Sequence, residues 1–530
     1  MNPAPPFFSD TPVQRIHWWI ALGLAAAFGG CFVLLGDAKV LYQLAFWAGI
    51  FGIGALLFLP QPRMVLVVAW ILVFPLNLEK IEIIGPSSYP HLIPPILEIS
   101  ATDLILVTLL GLILFEARWT GRPILRYWPR AGGPFLALWA WVAFDFLMHT
   151  PSIGSAFQML HWSKMLVDLF ILTAAIRTRS EVIVVLAMTA VAVLIQSFIV
   201  GLSYATHIEF GLTGISSALV TFSGSDTSYH RATGTLGYVN GQAQYQTFFM
   251  LPLVGLLCAR NLFWRGLAGL AGAASLMAIV LTFTRGAWLS CAVAFAVIIL
   301  VATVKGRMGK KSWLGLTAFT MAAVVGLAAF SGPIIDRLSE KGDAGASASR
   351  LRMVSMAMQH IYLHPLLGVG PGNFISARVE QAPIDWHGTV WLQPGEPFPF
   401  REVASYEYAT TELRGHTYLI PLPVHNKYLL VASELGLVGL ALFLWYFWRV
   451  LGHARGCLRT RDPLMWWTGL GLMASICAGS VYLMLDLIYG DSFIIILFPH
   501  FLAMICDRLA GEERMARQVA VGREVSPQLA

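Results

Sequence analysis

The feature that most constrains this chain is a succession of long apolar stretches divided by short loops. A helix that crosses a bilayer needs roughly 20 mostly apolar residues. Such stretches fall near 17–36, 40–59, 64–77, 103–117, 133–149, 160–176, 182–204, 242–258, 266–284, 286–303, 313–331, 425–449, 464–486 and 492–506. The chain therefore reads as an all-α polytopic membrane protein with about 12–14 transmembrane helices. Only 12% of its residues are charged and 57% are apolar, whereas soluble domains carry about 25% charge. The formal charge of +6 does not indicate nucleic acid, because Lys and Arg lie mainly in the short loops, where they set orientation.

Those basic loops alternate. Arg63, Arg118 to Arg130, Arg177/Arg179, Arg260/Arg265, Lys305 to Lys311 and Arg455 to Arg461 all share one side if both termini are cytoplasmic. The positive-inside rule makes that side the cytoplasm. The outer side then receives 78–102, 205–241, the turn at 284–286, 332–424 and 487–491. The chain divides into N-terminal helices (1–204), central helices with an outer loop at 205–241 (205–331), one long outer loop domain (332–424), C-terminal helices (425–506) and a cytoplasmic tail (507–530). Met1 to Thr11 lacks the charged region and cleavage site of a signal peptide, so the first span is expected to be retained. The six cysteines show no metal-type spacing, and none lies in 332–424, so no disulfide framework or metal site is expected. Paired Gly/Pro-broken spans in two matching halves, the usual pointer to a secondary transporter, are not seen.

Four polar groups fall on the outer face. The first is His230-Arg231-Ala-Thr-Gly234 through Asn240, leading into the span at 242. It suits an irregular loop at the bilayer surface, whether ordinary connection or binding loop. The second is Thr284-Arg285-Gly-Ala-Trp288, a tight turn between two spans. Arg285 either snorkels to the interface or holds an anion, since the guanidinium fork matches phosphate oxygens. The third begins at Ser347 and carries Arg350, then Leu351, Val354, Met358 and Ile361, the pattern of an amphipathic helix. It ends at His364-Pro-Leu-Leu-Gly368-Val-Gly370-Pro-Gly372-Asn373. Arg350 faces a phosphate or simply caps that loop.

The fourth group is His425-Asn426, directly after Pro421 and Pro423 at the start of a span. The positive end of a helix dipole disfavours imidazolium, so His425 is either a structural cap or a neutral base for an alcohol proton. Within the spans, Lys164 and Asp168 are four residues apart and can pair on one helix face, and Lys164 lies towards the outer half, where an anion is within reach. Glu434 lies nine residues after His425, about 13 Å along a helix, which is too far for contact. It reads as packing or a polar network, with Gly436 and Gly439 allowing close helix approach. No P-loop, dinucleotide-binding glycine motif or HExxH occurs. A donor used on the outer face must carry its own leaving group.

Thr284-Arg285-Gly-Ala-Trp288, the His364 to Asn373 run, and His425-Asn-Lys-Tyr-Leu with Glu434-Leu-Gly-Leu-Val-Gly439 resemble the O-antigen ligase/polymerase family. The resemblance covers roughly 225–445. It implies a GT-C-like, metal-independent, inverting glycosyltransferase of the bacterial inner membrane, needing no cofactor and working on the periplasmic face. The implied partners are an undecaprenyl-pyrophosphate-linked glycan donor, a saccharide acceptor (lipid A-core or a lipid-linked repeat unit) and membrane lipids, with no nucleic acid. His425 matches the family's catalytic His, and Arg285 matches its Arg after the middle spans; Arg231 and Arg350 match less closely. On this reading Arg231, Arg350, Asn240, Asn426 and Lys164 bind substrate. Trp386, Trp391, Tyr406 and Tyr408 stack on acceptor sugar or anchor the loop at the interface. The chain departs from the family in its span count and in Tyr238-Val239, where a Pro is common. A transporter or flippase for a lipid-linked saccharide is the rival reading.

Overall fold

The computed structural model describes residues 61–76, 79–84, 96–121, 128–129, 131–149, 153–208, 221–223, 228–236, 238–309, 344–374, 408–413, 416–421, 424–486 and 494–525. The spans expected at 17–36, 40–59 and 313–331, and Trp386, Trp391 and Tyr406, lie outside these residues. The chain divides into two units, 1–69 and 70–530. In the first, residues 61–69 are described, and they open helix α1 (Pro62–Val73).

The second unit is helical. After the end of α1 come α2 (Ala101–Thr120), α3 (Gly132–Met148), α4 (Ile153–Ala175), α5 (Arg179–Thr206) and α6 (Val239–Met250). They are followed by α7 (Leu262–Leu281), α8 (Arg285–Val304), α9 (Ala344–Leu363), α10 (Lys427–Cys457), α11 (Pro463–Leu485) and α12 (Ile494–Val525). Among the described residues the β structure is three two-stranded antiparallel hairpins: Glu79–Ile84 with Ile96–Ser100, Thr221–Ser223 with Ser228–His230, and Tyr408–Leu413 with His416–Pro421. Among the described residues six helices, α5, α7, α8, α10, α11 and α12, are long and apolar enough to cross a membrane, and the chain is a multi-pass membrane protein. Every expected span within the described residues carries a helix. The span at 242–258 differs in form: α6 gives way at Leu251 to a tighter 3-10 helix that runs to Cys258.

Helix starts follow the local sequence. Ser100 caps α2, its hydroxyl accepting the Asp103 N–H at 3.2 Å while Asp103 reaches back to the Ser100 N–H at 2.9 Å. Thr178 and Glu181 repeat that reciprocal cap on α5. Asp462 caps α11, with Pro463 in its first turn. Each cap satisfies donors that a helix start leaves unmade.

The core is centred on α6. All its residues except Asn240 are buried, because α5, α7, α8, α11 and α12 surround it. Phe249 stacks on Phe498 of α12 with centroids 4.0 Å apart, and Tyr245 lies 4.4 Å from Phe249. A helix enclosed on every side has no lipid-facing stripe, and its polar Gln242, Gln244 and Gln246 are all interior. The 3-10 segment approaches α11 so closely that a Cβ on Gly471 would lie 2.2 Å from the Leu251 carbonyl oxygen. Such approach between spans is what small residues permit.

Candidate functional site

His425 stands where α10 begins. Asn426 is the N-cap: its side-chain oxygen accepts the Leu429 N–H at 3.0 Å, and its amide donates to the Met484 carbonyl at 3.2 Å. The first turn of α10 is thereby tied to the last turn of α11. Asp486 ends α11, and its carboxylate meets His425 Nδ1 at 3.0 Å. The Tyr482 hydroxyl, one turn back, donates to the other Asp486 oxygen at 3.1 Å. Asp486 is buried at 8% exposure and Tyr482 is fully enclosed, so this pair is held in a low-dielectric setting. With a carboxylate on Nδ1, the neutral ring carries its proton there and presents the Nε2 lone pair.

Two arginines converge nearby. The turn from α7 to α8 passes through Phe283, a non-glycine residue with φ 48°. Thr284 precedes α8 but makes no cap with its own side chain. Instead its hydroxyl lies 3.3 Å from Arg231 Nη2 and 3.5 Å from Asn240 Oδ1. Arg231 also donates from Nε to the Thr282 carbonyl at 3.0 Å and from Nη2 to Asn240 at 3.5 Å. Arg231, Asn240 and Thr284, drawn from two separate stretches, are thus joined by hydrogen bonds, with Arg285 next to Thr284 at the start of α8. Neither α6 nor α8 has a side-chain cap, so their first N–H groups and positive dipole ends add to the arginine charge.

The cluster adjoins His425. A Cβ placed on Gly286, next to Arg285, would lie 3.5 Å from the Tyr482 ring and 3.8 Å from Leu485. The start of α8 therefore packs on the same Tyr that holds Asp486. Arg231, Asn240, Arg285 and His425 gather at the ends of α6, α8, α10 and α11.

Arg350 is placed by α9, which packs on α10. Met353 and Ala357 of α9 cluster with Phe374, Val424 and Leu430. Arg350 precedes these by three and seven positions, on the same helix stripe, and is exposed. Lys164 belongs to a different group. Its ammonium pairs with Asp103 of α2 at 2.7 Å rather than only with Asp168 of its own helix. Both carboxylates, with His161 and Thr102, line a cavity of about 30 Å³ closed by Trp70, Phe74 and Ile494. Among the described residues no group of three or more His, Cys, Asp or Glu is placed to share a metal ion.

Asp486, Tyr482 and Thr284 were not singled out by the sequence. An acid closing a span was the available signal for Asp486. The signal does not name a partner 61 residues away.

Residues 268–444 match the family model described as O-antigen ligase. No curated protein matches the chain. The matched segment is about a third of the sequence. It contains Arg285, α9 and the His425 end of α10, while Arg231, Asn240, Tyr482 and Asp486 lie outside it.

Proposed function

We propose that the chain is an O-antigen ligase/polymerase-type glycosyltransferase, with the match over 268–444 as the premise. It moves a glycan from undecaprenyl pyrophosphate to a sugar hydroxyl on the periplasmic face of the inner membrane. Both termini are cytoplasmic, the architecture is GT-C-like, and the 332–424 loop domain covers the site. The observation that carries this reading is the His425–Asp486–Tyr482 arrangement packed against the arginine-bearing start of α8. It joins a base to an anion-holding cluster.

In the mechanism, Asp486 keeps the Nδ1 proton in place, and His425 Nε2 takes the proton of the acceptor hydroxyl. The acceptor oxygen bonds to the anomeric carbon as the bond from that carbon to the pyrophosphate oxygen breaks. The electron pair leaves with the pyrophosphate, and attack from the opposite face inverts the anomeric centre. Arg285 and Arg231 stabilise the charge growing on the departing oxygens, with Asn240 and Thr284 holding Arg231 in place. A preorganised donor of this kind is worth about 3–4 kcal/mol, and general-base help contributes about 10²–10⁴ in rate. Arg350 and Lys164 bind substrate peripherally, and Asn426 sets the His425 backbone. Pyrophosphate is already a good leaving group, so arginine serves where a divalent ion is otherwise used.

The test is glycan transfer by the purified chain in nanodiscs, from lipid-linked donor to acceptor on the same face, with chelator and no nucleotide. Transfer is expected, and it is lost in His425→Ala. Undiminished transfer by His425→Ala would overturn the base assignment. Movement of donor across the bilayer without any transfer would favour the flippase.

A further inference from the structure

The sequence stretch that the proposed chemistry leaves unused is the glycine-rich run after α9, together with Glu434 and Gly436. In the structure these meet. The α10 helix is interrupted at Gly436, whose φ of 67° and ψ of −178° are not helical. A break inside an apolar helix strands backbone groups that no water can satisfy. Here they are met by other parts of the chain. Val369 N–H donates to the Ser433 carbonyl at 2.9 Å and Gly370 N–H to the Glu434 carbonyl at 2.9 Å. The Trp141 indole N–H reaches the Leu435 carbonyl at 2.9 Å. Below the break, Leu437 N–H donates to the Pro365 carbonyl at 2.8 Å.

The turn at 365–370 is thus spliced into the broken helix. Only glycine fits at its closest points. A Cβ on Gly436 would lie 2.0 Å from the Leu366 carbonyl oxygen, and one on Gly368 would lie 2.5 Å from the Glu434 carbonyl. The same run is fastened to α4, where the Ser155 hydroxyl donates to Asn373 Oδ1 at 3.0 Å.

The Glu434 side chain lies in this joint. Its carboxylate faces the backbone N–H groups of Gly372 and Phe374, and the buried Lys427 attracts it from the same helix. The Phe374 ring packs in a cluster with Val424, Leu430, Met353 and Ala357 and stacks on His360 at 5.4 Å. Val424 is the residue before His425. Glu434 is thus linked through the Phe374 backbone to the cluster that holds both the Phe374 ring and Val424, the neighbour of His425. Glu434 cannot touch the imidazole directly, being about 13 Å along the helix.

We propose that Glu434 is a positioning residue for His425. By ordering the 372–374 turn it seats the Phe374 ring, and the ring holds Val424 so that His425 meets Asp486 in one register. Because α9 rides on the same cluster, the joint also fixes where Arg350 stands. The inference rests on the reading of His425 as the base.

The test measures kcat and donor KM for transfer by the full chain in nanodiscs. Glu434→Ala is expected to lower kcat at least tenfold with KM within about twofold. Glu434→Gln keeps an acceptor oxygen for the two N–H groups and is expected to stay within about threefold of the parent. A thermal unfolding midpoint is recorded for each. If Glu434→Ala does not purify folded, Phe374→Leu takes its place. It leaves Glu434 and the splice intact, removes the ring from Val424, and is expected to give the same fall in kcat. Full kcat in a folded Glu434→Ala or Phe374→Leu overturns the proposal, as does a Glu434→Gln as impaired as the alanine. A rise in KM alone also overturns it, since that would place Glu434 in donor binding. With His425→Ala inactive, such results remove this inference and leave the base in place. An active His425→Ala removes the base reading, and this inference with it.

Discussion

The α10 helix carries a His–Asp pair at each end. At one end His425 Nδ1 lies 3.0 Å from Asp486, and at the other His453 Nδ1 lies 2.9 Å from Asp507. Both histidines are about 10% exposed. Roughly 40 Å of helix separates them at about 1.5 Å per residue, enough to put them at opposite faces of a bilayer. The local chemistry is nearly the same and the surroundings are not. At the His453 end, Arg514 lies 4.0 Å from the same Asp507. Beside His425, the start of α8 packs on Tyr482, Arg231 donates to the Thr282 carbonyl and the Thr284 hydroxyl, and α6 and α8 begin without side-chain caps. The difference teaches that a His–Asp pair does not by itself make a site. Positive potential beside it makes a place for an anion and a base together.

That contrast breaks most sharply at the two histidines. His425→Ala is expected to reduce glycan transfer by about 10²–10⁴, the range of general-base catalysis, measured as initial rate in nanodiscs. His453→Ala is expected to leave the rate within about twofold. Equal losses from the two substitutions would show that His425 acts structurally. Next in size is Arg285→Ala, expected to lower kcat by about 10²–10³, the value of one preorganised donor in the transition state. Arg285→Lys restores charge but not the planar fork, and is expected to recover only part of the loss. Arg514→Ala removes the same charge beside Asp507, at the other end of α10, and its rate is expected to be unchanged within about twofold.

The parts of this picture that were legible in sequence are those with local causes. Apolar length announced each described span, and Pro421 and Pro423 before His425 announced a helix start. The glycines of 368–372 announced an irregular turn, and Arg285 stood out as a charge between two spans. What was not legible depends on partners brought together by packing. Asp486 looks like any acid closing a span until α11 ends beside α10. Lys164 and Asp168 satisfy the i, i+4 rule, but nothing in the sequence says that Lys164 also reaches Asp103 at the start of α2, 61 residues earlier. The break in α10 was hidden for another reason. Gly436 follows Ser433-Glu434-Leu435 in a stretch that reads as continuous helix, and the Pro365 and Gly370 backbone arriving alongside accompanies the non-helical φ there.

The two carboxylates give the third, smaller contrast. Asp486→Asn keeps the size of the side chain but replaces the carboxylate that holds the Nδ1 proton, and it can hold His425 in the wrong tautomer. Its transfer rate is expected to fall about 10²-fold, towards the low end of what a base contributes, with donor KM little changed. Asp507→Asn is expected to act on stability instead. Weakening a charge-assisted hydrogen bond there is worth about 1–3 kcal/mol, read as a lower unfolding midpoint at an unchanged rate. If Asp507→Asn slowed transfer as much as Asp486→Asn, the two ends of α10 would be coupled, and the contrast drawn above would fail.

The smallest effect concerns Tyr482, whose hydroxyl steadies the second oxygen of Asp486 at 3.1 Å. Tyr482→Phe removes that one hydrogen bond and leaves the ring that packs on Gly286. A net hydrogen bond is worth about 1 kcal/mol, so the rate is expected to drop only about fivefold. The two roles of the side chain separate here. If the hydroxyl matters by orienting Asp486, the fivefold loss should vanish in an Asp486→Asn background, because the carboxylate it orients is gone. If the ring matters more, by seating the start of α8, then Tyr482→Ala should lose far more than Tyr482→Phe and should weaken Arg285-dependent donor binding as well. Additive losses from Tyr482→Phe and Asp486→Asn would show independent actions and would take Tyr482 out of the line that leads to His425.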